Sequence, residues 1–123
     1  MRITRRSGTT VLLLVTLAAC SSGPDAIRLE EAAGPGADHS FTIPAGAGEA
    51  FDRGEPLEIL PGELRVSVGE VIEIVNRDDR GHLVGPFFVG AGETLRQRFA
   101  SPGEFVGICT VHPSGELVLV VRE

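Results

Sequence analysis

The chain has 123 residues and a net charge of −6, and all eleven of its basic residues are arginine. Such an acidic chain lacks the basic face that neutralising phosphates requires, so it is a poor nucleic-acid binder. With no Trp and no Tyr, the core must come from Val, Leu, Ile and the six Phe, and the length allows one small domain after any leader is removed.

Arg2, Arg5 and Arg6 make a basic start, and an apolar run follows from Val11 to Ala19, interrupted by Thr16. The run is too short for a permanent membrane span and suits a cleaved export signal over residues 1–19. Its end, Leu17-Ala18-Ala19-Cys20, resembles a bacterial lipobox. That resemblance implies a diacylglycerol on Cys20 and an anchor on the extracytoplasmic side of the membrane; the alternative is a secreted or periplasmic soluble protein. Losing the three leader arginines from the net −6 leaves the mature part near −9. Residues 20–37 are rich in Gly, Ala, Pro and Glu and read as a flexible linker. Ile27 to Ala33 has room for a turn of helix, which Gly34-Pro35-Gly36 stops.

Residues 38–123 form the expected domain, and their periodicity is that of strands. Leu64, Val66 and Val68 alternate with Glu63, Arg65 and Ser67, and Ile72, Ile74 and Asn76 alternate with Val71, Glu73 and Val75. Leu95, Gln97 and Phe99 repeat the pattern, as do Phe105, Gly107 and Cys109. Leu117 to Val121 is continuously apolar, which predicts a strand buried on both faces. Turn residues separate the runs, notably Asp78-Asp79-Arg80-Gly81, Gly90-Ala91-Gly92 and Pro113-Ser114-Gly115. No helix is expected after the leader. Short strands at regular spacing argue an all-β sandwich or Greek-key barrel.

The chemistry centres on Cys109-Thr110-Val111-His112. With Cys20 used by the leader, Cys109 is a lone thiol in an exported protein. Cys109 ends a strand, His112 lies in the following loop, and His82 sits in the turn after the Ile72–Asn76 run. One thiolate and two imidazoles make the trigonal set preferred by redox-active copper, whereas zinc would require a fourth good ligand. A buried cysteine beside two unrelated surface histidines is the plain alternative.

Three segments, in order, resemble the cupredoxins, the blue copper family, and above all its small plastocyanin, amicyanin and pseudoazurin type. They are Pro61 to Glu70, Ile74 to His82, and Ser101 to Pro113. The resemblance covers roughly Asp38 to Arg122. It implies a cupredoxin-like fold, one type 1 copper held by His82, Cys109 and His112, and a hydrogen bond between Asn76 and Thr110 that steadies the ligand loop. Family members usually add a weak axial methionine, but the sole methionine here is Met1. The axial position falls on Gly115 or Leu117 according to spacing, with Glu116 between them. The resemblance therefore leaves three readings: no side-chain axial ligand, Glu116 as a carboxylate ligand, or a site that binds copper poorly or holds another metal.

Other residues carry weaker signals. Asp38 and His39 are a candidate second metal site or a solvated strand end, and Phe87 or Phe88 is expected in the core. Gly81, Gly85, Pro86 and Pro113 are candidates for an apolar patch around His112, and Asp78-Asp79 reads as a solvated face. There is no Gly-x-Ser-x-Gly elbow and no phosphate-binding glycine loop, and only His39 is spare after the ligands are assigned. No enzyme is expected. The expected role is electron transfer as a monomer with a redox protein partner, including membrane respiratory components; the alternative is a lipoprotein that holds and delivers copper.

Overall fold

The computed structural model describes residues 26–123. The expected leader 1–19, the lipid site Cys20 and the first part of the tether lie outside the described residues. Nine strands and one short helix follow in order: β1 Leu29–Glu31, β2 His39–Ile43, α1 Ala47–Asp52, β3 Glu63–Ser67, β4 Val71–Asn76, β5 His82–Val84, β6 Phe87–Val89, β7 Thr94–Phe99, β8 Gly103–Ile108 and β9 Glu116–Arg122.

One sheet has the order β1-β7-β4-β2 and the other β3-β9-β8, with β5 and β6 forming a separate hairpin. β2 runs parallel to β4 and β3 parallel to β9, and the remaining pairs are antiparallel. The alternation in sequence decides which side chains turn inward. Leu64 and Val66 of β3 are buried between exposed neighbours, and Leu117, Leu119 and Val121 of β9 are buried opposite Ile43, Ile72, Ile74 and Phe99 of the first sheet in one shared core. The fold is therefore the expected all-β sandwich. Phe87 joins this core edge to face with Phe99, ring centres 6.4 Å apart, while Phe88 is 63% exposed.

Three local expectations are corrected. Residues 29–31, within the segment read as linker and as a possible helical turn, are a strand: β1 pairs with β7, and Ile27 and Leu29 pack against the core. A ladder to β7 gives those backbone groups partners that one isolated helical turn cannot supply. Second, β9 is fully buried on one face only. Val118 and Val120 are half-buried, facing outward beside Val106 and Glu104 of β8. Among the described residues no third layer covers that face, so its apolar residues reflect β-propensity rather than burial. Third, α1 was not anticipated. It has six residues, buries only Ala47, Gly48 and Ala50, and follows Gly46 at φ 91°, too short and glycine-rich to display a helical period.

These connections put the candidate residues at one pole. β2 and β4 are parallel, so Ile43 and Asn76 end together. At the same pole β5 is joined to the end of β8 by an antiparallel bridge between Val84 and Cys109.

Candidate metal centre

Asn76 organises the approach to His82. It is 1% exposed. Its Oδ1 accepts the Asp78 N–H (3.0 Å), and its Nδ2 donates toward the carbonyls of Arg80 (2.7 Å), Val89 (3.1 Å) and Gly90 (3.0 Å). The expected bond from Asn76 to Thr110 is not formed. The amide is saturated by its own turn and by the end of β6, and an amide nitrogen has two hydrogens to give.

His82 opens β5 and is buried. Its Nε2 lies 2.8 Å from Asp78 Oδ2 and its Nδ1 lies 2.9 Å from the hydroxyl of Thr110. A carboxylate only accepts, so Nε2 carries a ring hydrogen, and the Thr110 hydroxyl bridges His82 Nδ1 and the Leu83 carbonyl, 3.3 Å away. Asp78 is buried with it, which alone would push its carboxyl up. Hydrogen bonds from His82 and from the N–H groups of Gly48, Gly46 and Asp79 outweigh that burial and hold it well below the usual carboxylate range.

Cys109 is fully buried, and its N–H donates to Gly115 O at 2.9 Å. Burial raises the thiol pKa, and the Val111 N–H offsets part of that rise. His112 follows in the loop with its Nδ1 accepting the Ser114 N–H (3.1 Å) and lying 2.7 Å from the Ser114 hydroxyl. Its Nε2 is 3.9 Å from a Glu58 carboxylate oxygen, and its ring rests on Gly62, where a Cβ would come within 3.3 Å.

The structure thus brings His82 and the Cys109–Thr110 segment together and turns the His112 ring toward Ser114 and Gly62. Among the described residues no three His, Cys, Asp or Glu side chains gather as a metal-holding group. The donor types fit copper: two imidazoles, that of His112 with an Nδ1 that accepts the Ser114 N–H, and a thiol in an apolar surround. As arranged, Nδ1 of His82 is bonded to Thr110 and Nδ1 of His112 to Ser114.

The three axial candidates differ sharply. Gly115 sits at φ 73° with open space at its Cα. Glu116 is exposed and pairs with Ile108. Leu117 is fully buried against Gly85, where a Cβ would come within 2.9 Å of its Cδ2.

Outside the pole, Asp38 Oδ2 accepts the Val71 N–H and His39 pairs with Glu70 at 2.8 Å. Both therefore serve the β2–β4 junction at the far end, beside a surface depression of about 160 Å³ that includes Arg65 and Arg122. Phe88 covers Gly81, and Gly85 faces Leu117, so two members of the expected apolar patch are occupied. The exposed apolar side chains near the site are instead Leu83, Phe88 and Ile108. Asp78 was missed by sequence reasoning, which placed it on a solvated face; a four-residue spacing to His82 through an irregular turn carries no signal of contact.

No family model matches this chain, and no curated protein does. Solved structures do. A purple cupredoxin from Nitrosopumilus maritimus is 21% identical over 69% of this chain and 100% of that one, at a TM-score of 0.45. The chain's structural neighbours are cupredoxins. Amicyanin from Paracoccus versutus is 19% identical over 77% of this chain and 92% of its own, at 0.44. A copper-containing nitrite reductase from Thermus scotoductus is 25% identical over 76% of this chain but 24% of that one, also at 0.44.

Proposed function

We propose that this chain is an exported copper-binding electron-transfer protein, and not an enzyme by itself, holding one type 1 copper through His82, Cys109 and His112 with no methionine ligand. The observation that carries the reading is the buried His82, its Nδ1 in contact with Thr110 beside the buried thiol of Cys109. The ordered likeness of three sequence segments to cupredoxins supports it independently.

A bound copper would supply a one-electron couple. The chain's own residues provide the rest. The β5–β8 bridge ties the His82 strand to Cys109. Val84, Val111 and Leu117, all fully buried, exclude water around the thiol. Asp78 keeps a proton on Nε2 of His82. Leu83, Phe88 and Ile108 form an exposed apolar surface on residues adjoining His82 and Cys109, of the sort that marks docking. On an acidic chain it suits a redox protein with a basic rim. A lipid on Cys20 would hold the monomer at the outer side of the membrane, near respiratory partners.

One observation favours copper delivery instead. Nδ1 of His112 is engaged by the Ser114 N–H and hydroxyl, and a ligand that must first give up such bonds makes a metal exchangeable. Titration of the purified protein with Cu(II) separates the readings. An intense thiolate-to-copper band that is lost in Cys109→Ser, with reversible voltammetry, supports electron transfer. Copper lost readily to a mild chelator supports delivery, and no copper uptake overturns both.

A further inference from the structure

We infer that Asp78 is the positioning residue for His82, and that α1 exists to seat its carboxylate. The inference rests on the copper reading for its consequence, and on geometry alone for its existence.

Three donors converge on one buried carboxylate. Oδ1 accepts the Gly46 N–H at 3.0 Å, and Oδ2 accepts both the Gly48 N–H and His82 Nε2–H at 2.8 Å. Two rigid backbone donors fix the carboxylate, and it in turn fixes the imidazole. The α1 segment is shaped for this task. Gly46 stands at φ 91°, a conformation that side-chain-bearing residues avoid. At Gly48 a Cβ would come within 2.9 Å of Asp78 Oδ2 and 2.7 Å of Arg80 Cδ. Arg80 lies across the same helix, bonded to Asp52 and to the Gly48 carbonyl. An otherwise weak six-residue helix is thus fastened to the turn at both ends, through Asp78 and through Arg80.

The arrangement has a chemical result. A carboxylate accepting from the far nitrogen of an imidazole fixes the tautomer and makes the other nitrogen a stronger donor. Without an axial methionine a trigonal His₂Cys site is short of electron donation and leans toward Cu(I). Asp78 works in the opposite direction, through His82.

Nitrogen-detected NMR of the metal-free protein tests the positioning directly: His82 must show hydrogen on Nε2. A ring with no hydrogen on Nε2 overturns the inference, whatever the protein does with copper. The consequence is read in Asp78→Asn and in Gly48→Ala, which displaces the carboxylate without removing it. Both variants should bind Cu(II) about 10–100-fold more weakly, with a raised potential and a retained thiolate-to-copper band. Unchanged affinity and potential in folded variants overturn the role. A wild-type protein that takes up no copper overturns the copper reading, while the NMR result still decides whether Asp78 positions His82.

Discussion

The hydroxyl of Thr110 lies 2.9 Å from Nδ1 of His82, so the residue after Cys109 is hydrogen-bonded to the ring that opens β5. The contact joins the two halves of the proposed site without involving the thiol. Thr110→Val keeps the shape and removes the hydroxyl, which also donates toward the Leu83 carbonyl. In the metal-free protein the loss of one net hydrogen bond should cost about 1 kcal/mol in urea unfolding. Copper affinity should not fall, because the hydroxyl competes with the metal for Nδ1. A drop in affinity would show that Nδ1 is not the ligating atom.

Asn76 carries a heavier structural duty. Asn76→Ala leaves the Asp78 N–H and the Arg80 and Val89 carbonyls without the partner they share, while the Gly90 carbonyl keeps the Glu93 N–H. Each buried group left unsatisfied costs about 1–3 kcal/mol. Water will recover some of these at the part-buried carbonyls, so a loss of about 3 kcal/mol is the expected outcome of chemical denaturation. A cost below about 1 kcal/mol would mean the turn holds without its amide.

The sandwich was legible because its strands bury one face each, and alternation in sequence records that directly, as Leu64 and Val66 do. The placement of Cys109 at a strand end and of His112 in the loop after it was legible for the same reason, since strand ends fix where loops begin. What escaped depended on single polar contacts. Asp78 carries no mark of burial in an Asp-Asp-Arg-Gly turn, and its partners are backbone N–H groups of Gly46 and Gly48, thirty or more positions away. β1 escaped because its burial pattern is half-buried, then exposed twice, over three residues, too few to show a period. The half-exposed Val118 and Val120 misled because β-branched residues suit a strand whether or not anything covers them.

The axial position can be tested by two substitutions of opposite expectation. Leu117 is buried against Gly85, and Leu→Met is volume-conserving, so Leu117→Met should fold at a cost below about 1.5 kcal/mol. If Leu117 faces the copper, the added thioether should lower the potential and change the visible spectrum. Glu116 is exposed on the outer face of β9, so Glu116→Gln should leave spectrum and potential unchanged. The reverse pattern would identify Glu116 as the ligand.

Glu70 gives the fold an acid-sensitive joint remote from the metal pole. Its pKa is held below the usual 4.5 by the hydrogen bond to His39 and then by the Ser67 N–H, with burial and Asp38 opposing. A carboxylate with a depressed folded pKa adds stability that is fully present above its unfolded value. That stability is lost as pH falls through the folded pKa. Thermal melts of the metal-free protein, taken from neutral pH down through the carboxylate range, should therefore show a declining acid limb. In Glu70→Gln the limb should be shallower, and an identical limb would remove Glu70 from the account.

Cys109 should be chemically quiet until the β5–β8 bridge opens. Its side chain is fully buried and burial raises its pKa, so little thiolate, the reactive form, is present at neutral pH. Alkylation of the metal-free protein, followed on the peptide that contains Cys109, should be slow and should accelerate sharply in denaturant. The limiting step is the local separation of Val84 from Cys109, which sets how often reagent reaches the sulfur. Thr110→Val, which loosens the same junction, should speed the reaction, whereas Glu70→Gln at the far pole should not. Rapid alkylation of the native wild-type chain would show that the bridge is open in solution, and with it that His82 and Cys109 are not held together before metal arrives.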